Sequence, residues 1–299
     1  MQVVAIDLGS NSMQVVKLDC KSKEPVDNFI KTVRTAQGLV DNGTISKEAV
    51  DRIISAINEA KKKMDFSDSK IKAVTTQALR VAKNAKEVIE EIYKKTGIKF
   101  EVISPETEGE LTLIAVKNRL NKLNINGNFI LVDIGGGSTE LSYYIDGKIY
   151  SKSFDLGIVT TANSCKTLED IKKFVKTKSK EIAQFAKNFN NRELIFTATA
   201  GTPTTIAAMK LNMSYDTYDA SKVTGTKLTL QEVDFYLNKL LNMTPKEREI
   251  AVGVGRDDLI VAGFIIFKEI YDILEKNEAI IIDDGLSMGV AISECERLS

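Results

Sequence analysis

A sequence pattern that occurs twice constrains the fold of this 299-residue chain more than any other feature. Residues 4–16 read VAIDLGSNSMQVV, and residues 131–143 read LVDIGGGSTELSY. In each segment an aspartate, Asp7 or Asp133, ends an apolar strand, a glycine-rich turn follows, and the turn leads into a second strand. A repeat of so long a period indicates a duplicated fold rather than a solenoid of short units.

The predicted order of secondary structure also starts again, after the polar turn NINGN at residues 124–128. In the first half we predict a helix from Ser46 to about Met64 and another from Ser104-Pro105 to about Lys122. In the second half we predict an Asp146-Gly147 hairpin turn and one helix over residues 167–189. Further strands and helices complete each half. The length of the chain also favours two domains rather than one.

We therefore expect an α/β protein of two like domains that face each other across a cleft. The predicted domains are residues 1–124 and 125–285, and a last helix over about 286–299 is expected to pack back on the first domain.

The charge balance argues against two classes of partner. Lys plus Arg and Asp plus Glu number 41 each, so the formal net charge is zero. A strong pull on nucleic acid or on an acidic membrane is therefore not expected. No apolar run reaches the roughly 18 residues of a membrane span, and the first strand does not resemble a signal peptide. We expect a cytoplasmic protein.

The cysteines and the missing histidines exclude several kinds of chemistry. Cys20, Cys165 and Cys295 are far apart and form no CxxC pair, so we expect no disulfide framework and a reducing compartment. The chain has no histidine, which excludes HExxH zinc sites and nucleophiles activated by an imidazole. The GLSMG segment at 285–289 matches a nucleophile elbow but has no histidine base. Any catalysis must depend on carboxylates or on a metal ion.

The two glycine-rich turns are candidate phosphate sites. Glycine lets the backbone approach closely, so that several N–H groups of a turn point at one anion. The first turn would add the side chains of Ser10, Asn11 and Ser12. The second turn contains these residues: Gly135, Gly136, Gly137, Ser138 and Thr139. The alternative, that the glycines only shape tight hairpins, stays open for each turn.

Three carboxylates beside these turns are candidate ligands of Mg²⁺. Asp7, Asp133 and Glu140 supply the oxygen atoms that Mg²⁺ prefers, and the ion usually takes one or two protein carboxylates and fills its shell with water and phosphate. The alternative is that the aspartates only accept hydrogen bonds from the turns.

Other polar clusters are less specific. Glu106, Glu108 and Glu110 lie in the first turns of a predicted helix, where acids stabilise the helix dipole, and the sequence does not single out one of them. Arg80 offers a guanidinium to phosphate, and Gly201-Thr202 lies between a strand and a helix, a second type of anion site.

The remaining charged segments are expected to be solvated. They are the start of a helix with Arg256, Asp257 and Asp258, and the lysines of residues 166–180. Neither a P-loop motif nor a dinucleotide fingerprint occurs in the sequence.

Taken together, these segments resemble the Ppx/GppA family of exopolyphosphatases and guanosine pentaphosphate phosphohydrolases. The segments that carry the resemblance span nearly the whole chain: AIDLGSNS, TQALRVAKN, EVISPETEGEL, LVDIGGGSTEL, TATAGTPTTIAA, GVGRDDLIVAG and IIIDDGLSMGV. The resemblance implies two ribonuclease-H-like domains of the actin, sugar-kinase and heat-shock chaperone superfamily.

The resemblance also implies roles for individual residues. Glu108 becomes the general base that activates water, and Arg80 becomes an electrostatic clamp. Asp133 and Glu140 become metal or water ligands, and the turns at 10–12 and 135–138 hold the terminal phosphate.

Two departures from the family pattern accompany the resemblance. Many members carry two adjacent acids followed by Ala-Arg where this chain has residues 107–110, Thr-Glu-Gly-Glu. Longer members also carry a C-terminal histidine–aspartate helical module, which we expect to be absent here.

The implied activity is a Mg²⁺-dependent hydrolase that releases terminal phosphate from polyphosphate or pppGpp. The alternative from another class is a sensor that binds guanosine penta- or tetraphosphate with little catalysis. A kinase of the same superfamily is a third hypothesis, and a homodimer is considered as the assembly.

Overall fold

A computed structural model describes residues 1–189, 192–253 and 259–298 of the chain. Its strands are β1 Gln2–Leu8, β2 Ser12–Asp19, β3 Glu24–Thr32, β4 Ser69–Thr75, β5 Phe100–Val102, β6 Phe129–Ile134, β7 Thr139–Ile145, β8 Lys148–Phe154, β9 Ile195–Thr199, β10 Lys227–Thr229 and β11 Glu278–Ile281. Its helices are α1 Leu39–Asn42, α2 Lys47–Lys63, α3 Gln77–Val81, α4 Ala85–Thr96, α5 Pro105–Lys122, α6 Ile158–Ser164, α7 Leu168–Lys178, α8 Lys180–Ala186, α9 Gly201–Lys210, α10 Ala220–Val223, α11 Leu230–Leu241, α12 Pro245–Val252, α13 Ile260–Leu274 and α14 Leu286–Leu298.

The chain divides into two compact units, each built on one sheet. The first unit contains Met1–Ala115 and helix α14, and the second contains Val116–Gly285. The division falls within α5, and the domain boundary that we placed after residue 124 stays a prediction. The helix start expected at Arg256, Asp257 and Asp258 lies outside the described residues.

The two sheets share a mixed topology. The first has the strand order β3-β2-β1-β4-β5, and the second has the order β10-β11-β9-β6-β7-β8. In the first, β1 is antiparallel to β2 and parallel to β4. In the second, β6 is antiparallel to β7 and parallel to β9. The predicted duplication is therefore visible in the backbone.

Local sequence signals explain where several elements begin. The Ser46 hydroxyl accepts a hydrogen bond from the Ala49 N–H, 3.2 Å from nitrogen to oxygen, and so caps α2. Ser104 caps α5 in the same way through the Thr107 N–H, also at 3.2 Å. The predicted hairpin turn is also confirmed, because Asp146 and Gly147 both have positive φ angles, as a two-residue hairpin loop requires.

The helix that we predicted over residues 167–189 is instead two helices, α7 and α8, that meet at Ser179. The Ser179 hydroxyl donates a hydrogen bond to Oε1 of Glu269 on α13, 2.9 Å away. Lys176 forms an ion pair with the same carboxylate at 3.1 Å. Long-range polar contacts of this kind are absent from the helical pattern, so the break could not be predicted from it.

Helix α14 completes the hydrophobic core of the first unit. It packs on β1, β2 and β4. The cluster that it joins contains Val3, Ala5, Val16, Leu18, Val74, Ile103 and Ala115, to which the helix adds Leu286, Met288, Val290, Ala291, Ile292 and Cys295. Burial of such apolar area contributes about 25 cal/mol per Å² to folding, so α14 is an integral part of the unit.

Our expectation that the cysteines form no disulfide is wrong for one pair. Cys20, just after β2, is bonded to Cys295 on α14, across 275 residues of sequence. Because α14 lies across β2, the Cα atoms of the two residues are only 5.3 Å apart. Cys165 is a free thiol. Sequence spacing is a poor guide here because the fold returns its last helix to its second strand.

At Gly289, α14 approaches α5 backbone to backbone. A Cβ atom at this position would lie 1.8 Å from the carbonyl oxygen of Leu111. A hydrogen atom is therefore the only side chain that the packing allows.

No helix in the part of the chain that the structure describes has the length and apolarity needed to cross a bilayer.

We predict that Gly289→Ala destabilises the protein by about 1–3 kcal/mol, because the new methyl group meets a backbone carbonyl that cannot move aside. The better helix propensity of alanine, worth about 1 kcal/mol, offsets only part of this loss. Urea unfolding followed by circular dichroism measures the change. Ser293→Ala on the same helix is the matched control, and an equal effect of both substitutions would contradict the packing argument.

Candidate functional site

The same turn joins the first two strands of each sheet. In the first unit the Gly9 N–H donates to the Ser12 carbonyl over 3.0 Å, and in the second the Gly135 N–H donates to the Ser138 carbonyl over 2.9 Å. The strand register is also shared. Asp7 lies opposite Gln14, and Asp133 lies opposite Glu140.

In both turns the carbonyl groups are held by the chain that follows the third strand. The Asn11 carbonyl accepts from the N–H groups of Val33 and Arg34, at 2.9 and 2.8 Å. In the second unit, the Gly135 and Gly136 carbonyls accept from the N–H groups of Ile158 and Val159, at 3.0 and 2.8 Å.

The turn N–H groups, by contrast, remain available. Among the residues that the structure describes, the N–H groups of Ser10, Asn11, Gly136 and Gly137 donate to no other backbone group. A turn whose carbonyls are tied and whose N–H groups are free is suited to an anion.

Close backbone packing explains part of the glycine content. A Cβ atom at Gly157 would lie 2.4 Å from the Gly136 carbonyl oxygen. The segment after β8 thus rests directly on the second turn, and a side chain at Gly157 would displace it. The same turn is therefore tightly packed and also presents N–H groups that donate to no other backbone group among the described residues.

In the first unit several predicted site residues lie at the carboxyl ends of the parallel strands, which we call the carboxyl edge of the sheet. Because β1, β4 and β5 are parallel, their carboxyl ends meet there, and the Thr75 hydroxyl donates to the Leu8 carbonyl at 2.8 Å between them. Asp7 ends β1, Arg80 lies on α3 after β4, and Glu108 lies on the first turns of α5 after β5.

Arg80 and Glu108 form an ion pair at this edge. Arg80 Nη2 lies 2.5 Å from Glu108 Oε2, and the two side chains are only 18% and 12% exposed. Nη1 of Arg80 also donates to Oε1 of Gln77 at 3.4 Å, whereas the buried Nε has no partner among the described residues. The pair places a charged carboxylate and a guanidinium in a partly desolvated position, where both interact strongly with other charges.

The structure separates the three glutamates that the sequence could not. Glu108 is 9% exposed, whereas Glu106 and Glu110 are exposed to solvent. The pKa of Glu106 is lowered by hydrogen bonds from its own backbone N–H and from the Ser104 hydroxyl at the start of the helix. Only Glu108 lies at the sheet edge with Arg80.

Asp7 carries an unpaired carboxylate oxygen. Its Oδ1 is out of contact with solvent and has no hydrogen-bond partner among the described residues, although the residue as a whole is half-buried. Burial raises the pKa of this carboxyl from 3.8 to about 7. A buried carboxylate oxygen without a hydrogen-bond donor suits a cation, so Asp7 fits the predicted Mg²⁺ role.

In the second unit, Glu140 is held by two serines. Its Oε1 accepts hydrogen bonds from the hydroxyls of Ser138 and Ser153, at 2.7 and 2.6 Å. Glu140 is 2% exposed and faces Asp133 across the β6–β7 ladder. The oxygens of this carboxylate pair also suit Mg²⁺.

Besides the Ser138 hydroxyl, which donates to Glu140, two further predicted phosphate-binding hydroxyls are engaged or buried elsewhere in this structure. The Thr139 hydroxyl donates to the Leu156 carbonyl at 2.5 Å. The Thr202 hydroxyl is fully buried, and a Cβ atom at Gly263 of α13 would lie 2.1 Å from it. Both side chains therefore pack inside the second unit. Any contact of Gly201-Thr202 with an anion would come from the backbone at the start of α9.

The sequence did not predict an ion pair between Arg119 and Asp284 in the second unit. Arg119 on α5 binds Asp284 with two hydrogen bonds, from Nε at 2.6 Å and from Nη2 at 3.1 Å. The Asp284 carbonyl accepts from the Thr199 hydroxyl at 3.2 Å. The paired acids after the last strand were the available signal, but nothing in the sequence connects them with a residue 165 positions earlier.

The carboxylates do not form a closed metal site by themselves. No group of three or more His, Cys, Asp or Glu side chains suited to a metal occurs within the described ranges.

The fold identifies the class of protein to which the chain belongs. Two mixed α/β sheets of the ribonuclease-H-like, actin-related kind confirm the predicted fold class. A solved structure of the Ppx/GppA family member from Aquifex aeolicus is 29% identical, with a TM-score of 0.78, and the alignment covers 100% of this chain and 99% of that one.

The family itself is shown by sequence. The profile of the Ppx/GppA phosphatase family matches residues 13–298, and the chain belongs to this family.

Two relatives align with nearly the whole of this chain. Exopolyphosphatase 2 of Mycobacterium tuberculosis is 26% identical over 98% of both chains. A bifunctional 3-dehydroquinate synthase/phosphatase of Fusobacterium nucleatum is 24% identical over 98% of this chain but only 46% of that protein. The chain thus spans less than half the length of this second relative.

We predict that, in EDTA, wild-type protein loses stability relative to Asp7→Asn as the pH rises from 4 to 8. The pKa of Asp7 is raised from 3.8 to about 7 by folding, so between these pH values the folded state binds a proton that the unfolded state has released. The stability of the wild type therefore falls as the pH rises through this range. The expected gain of the variant is about 1–3 kcal/mol, reduced from the full value of such a shift by partial exposure.

Urea unfolding at pH 4 and pH 8 measures this difference. The exposed Asp41→Asn is the control. Added Mg²⁺ is expected to stabilise wild type more than Asp7→Asn at pH 8, and equal stabilisation would exclude Asp7 as a ligand.

Proposed function

We propose that this protein hydrolyses phosphoanhydride bonds and releases terminal phosphate from inorganic polyphosphate, pppGpp or both. The observation that carries the proposal is the buried Glu108–Arg80 pair at the carboxyl edge of the first sheet. Membership of the Ppx/GppA phosphatase family and similarity to a protein named exopolyphosphatase support it.

Glu108 is assigned as the general base that orients water and removes its proton. Its carboxylate accepts a hydrogen bond from the Arg80 guanidinium at 2.5 Å, and a carboxylate held in this way is a group that can take a proton from water. Because Arg80 holds the same carboxylate, it also fixes the direction in which Glu108 faces. Arg80 thus acts as a positioning residue in this state, and its unpartnered Nε offers a further donor to a phosphate oxygen.

The glycine-rich turns are assigned to the phosphoryl groups. The free N–H groups of the turns at 10–11 and 136–137 are preorganised donors, because the carbonyls beside them are already tied. Backbone donors cost little reorganisation and distinguish poorly between phosphate esters. This agrees with a substrate whose bound part is simply a terminal phosphoanhydride.

Asp7 in the first unit, and Asp133 and Glu140 in the second, are each assigned as carboxylates that would bind Mg²⁺. When bound, Mg²⁺ neutralises phosphate charge and polarises the phosphoryl oxygens. The unpaired oxygen of Asp7, and the position of Asp133 opposite Glu140 in the β6–β7 ladder, support these assignments. The two serines that bond Glu140 hold its side chain in one rotamer.

A guanosine penta- or tetraphosphate sensor with little catalysis is the second candidate. The exposed carboxylates of Glu106 and Glu110 next to Glu108 favour it, because extra negative charge would weaken the binding of a long polyanion. A cytoplasmic location, a homodimer and the absence of nucleic-acid partners stay predictions.

We predict that Glu108→Gln lowers kcat for phosphate release by about 100-fold or more, since glutamine keeps the shape but cannot accept a proton. Glu106→Gln and Glu110→Gln are matched controls on the same helix, and their kcat should stay within about threefold of wild type. Phosphate release with Mg²⁺ is the measurement, after circular dichroism has shown folded variants. Near wild-type turnover by Glu108→Gln would exclude it as the base.

The substrate class is tested by comparing long-chain polyphosphate, pppGpp and ATP under the same conditions. We expect phosphate release from polyphosphate, pppGpp or both to exceed release from ATP by at least about tenfold. Tight binding of pppGpp or ppGpp, measured by calorimetry without release of phosphate from any substrate, would instead establish the sensor.

A further inference from the structure

Helix α14 is fastened at its C-terminal end to the turn that follows β2. The disulfide between Cys20 and Cys295 is the covalent tie. Beside it, Lys23 Nζ and Glu296 Oε1 form an ion pair at 2.6 Å. This ion pair is partly exposed and contributes little by itself, so the disulfide is the stronger fastening.

The other end of α14 touches both segments that carry proposed site residues of the first unit. Gly289 packs on the carbonyl of Leu111, three residues after Glu108 on α5. The Ser287 hydroxyl donates to Oε1 of Gln14 at 3.3 Å, and Gln14 is the residue opposite Asp7 in the β1–β2 ladder. Helix α14 therefore contacts α5 close to Glu108, and β2 at the residue opposite Asp7.

The disulfide controls the position of α14 along the helix axis. Cys295 lies six residues beyond Gly289, about 9 Å along an α-helix. Because Gly289 contacts a backbone carbonyl closely, a shift of α14 along its axis is transmitted to α5. A covalent tie at Cys295 fixes the register of α14, and through Gly289 it fixes the first turns of α5.

We propose that Cys20 and Cys295 form a thiol–disulfide switch that positions Glu108 through α14. The oxidised form holds Glu108 in place for catalysis, and the reduced form loosens it. The inference rests on the proposed function, because Glu108 is the base only if the protein is a hydrolase. In a compartment rich in thiols, a disulfide of this kind serves regulation more often than permanent stabilisation.

The chemistry of the switch is ordinary thiol–disulfide exchange with a small thiol such as glutathione. Cys20 is partly exposed and Cys295 is 2% exposed, so the thiolate attacks Sγ of Cys20. The Sγ–Sγ bond breaks, a mixed disulfide forms on Cys20, and Cys295 leaves as a thiolate that takes up a proton. A second thiol then displaces Cys20. Two thiols supply two electrons and become one small disulfide, and the reverse reaction reforms the tie.

The test compares the full-length protein after treatment with glutathione disulfide and after treatment with dithiothreitol. Circular dichroism first establishes a temperature at which both forms are folded. We expect reduction to lower kcat for polyphosphate by about 3–10-fold with KM unchanged, because a misplaced base slows chemistry without weakening binding.

Two variants control the comparison. Cys20→Ser should show the lower kcat under both treatments, whereas Cys165→Ser, which lacks only the free thiol, should keep the response. Equal kcat of the oxidised and reduced wild type overturns the switch, and so does a response to dithiothreitol that persists in Cys20→Ser.

Hydrogen exchange of residues 105–111 separates failure of this inference from failure of the proposed function. Faster exchange is expected in the reduced form, in the first turns of α5. If neither form releases phosphate from any substrate, the proposed function is wrong and exchange alone decides. Equal exchange rates in the two forms then overturn the switch as well.

Discussion

Both units depend on one backbone hydrogen bond that closes a tight turn between their first two strands. It joins Gly9 to Ser12 in one unit and Gly135 to Ser138 in the other. The turn sets an aspartate at the end of a strand and exposes N–H groups beside it. Parallel pairing of that strand then brings distant segments to the same edge, because parallel strands end together. The candidate site residues lie together because of the order of the strands, and no single sequence motif contains them all.

The duplication has diverged in its electrostatics. In the first unit, an arginine pairs with Glu108, while Asp7 is left without a partner for one oxygen. In the second unit, two hydroxyls donate to Glu140, which occupies the position where the first unit has Gln14. One copy of the fold therefore pairs its carboxylate with an arginine, and the other holds its carboxylate with two hydroxyls. The two units therefore share the backbone turn but differ in the side chains that surround their carboxylates.

Much of the fold could be predicted from the sequence because its signals are local. Caps at Ser46 and Ser104, the hairpin at Asp146-Gly147 and the repeated turns all depend on residues within a few positions of one another. The break at Ser179, the Cys20–Cys295 bond and the Arg119–Asp284 pair depend on residues that only the folded chain brings together. The site shows the same division, since the turns were found by pattern, whereas the choice of Glu108 over its neighbours required a family resemblance and, in the structure, burial.

The place of α14 in the chain has a consequence for synthesis on the ribosome. The helix supplies a face of the first unit's core, yet residues 116–285 of the second unit are translated before it. The second unit can therefore finish folding first, while the sheet of the first unit waits with Val3, Ala5, Val16 and Leu18 uncovered on that face. An order of folding opposite to the order of the sequence is built into this architecture. It leaves the earliest-made strands in need of protection for longest.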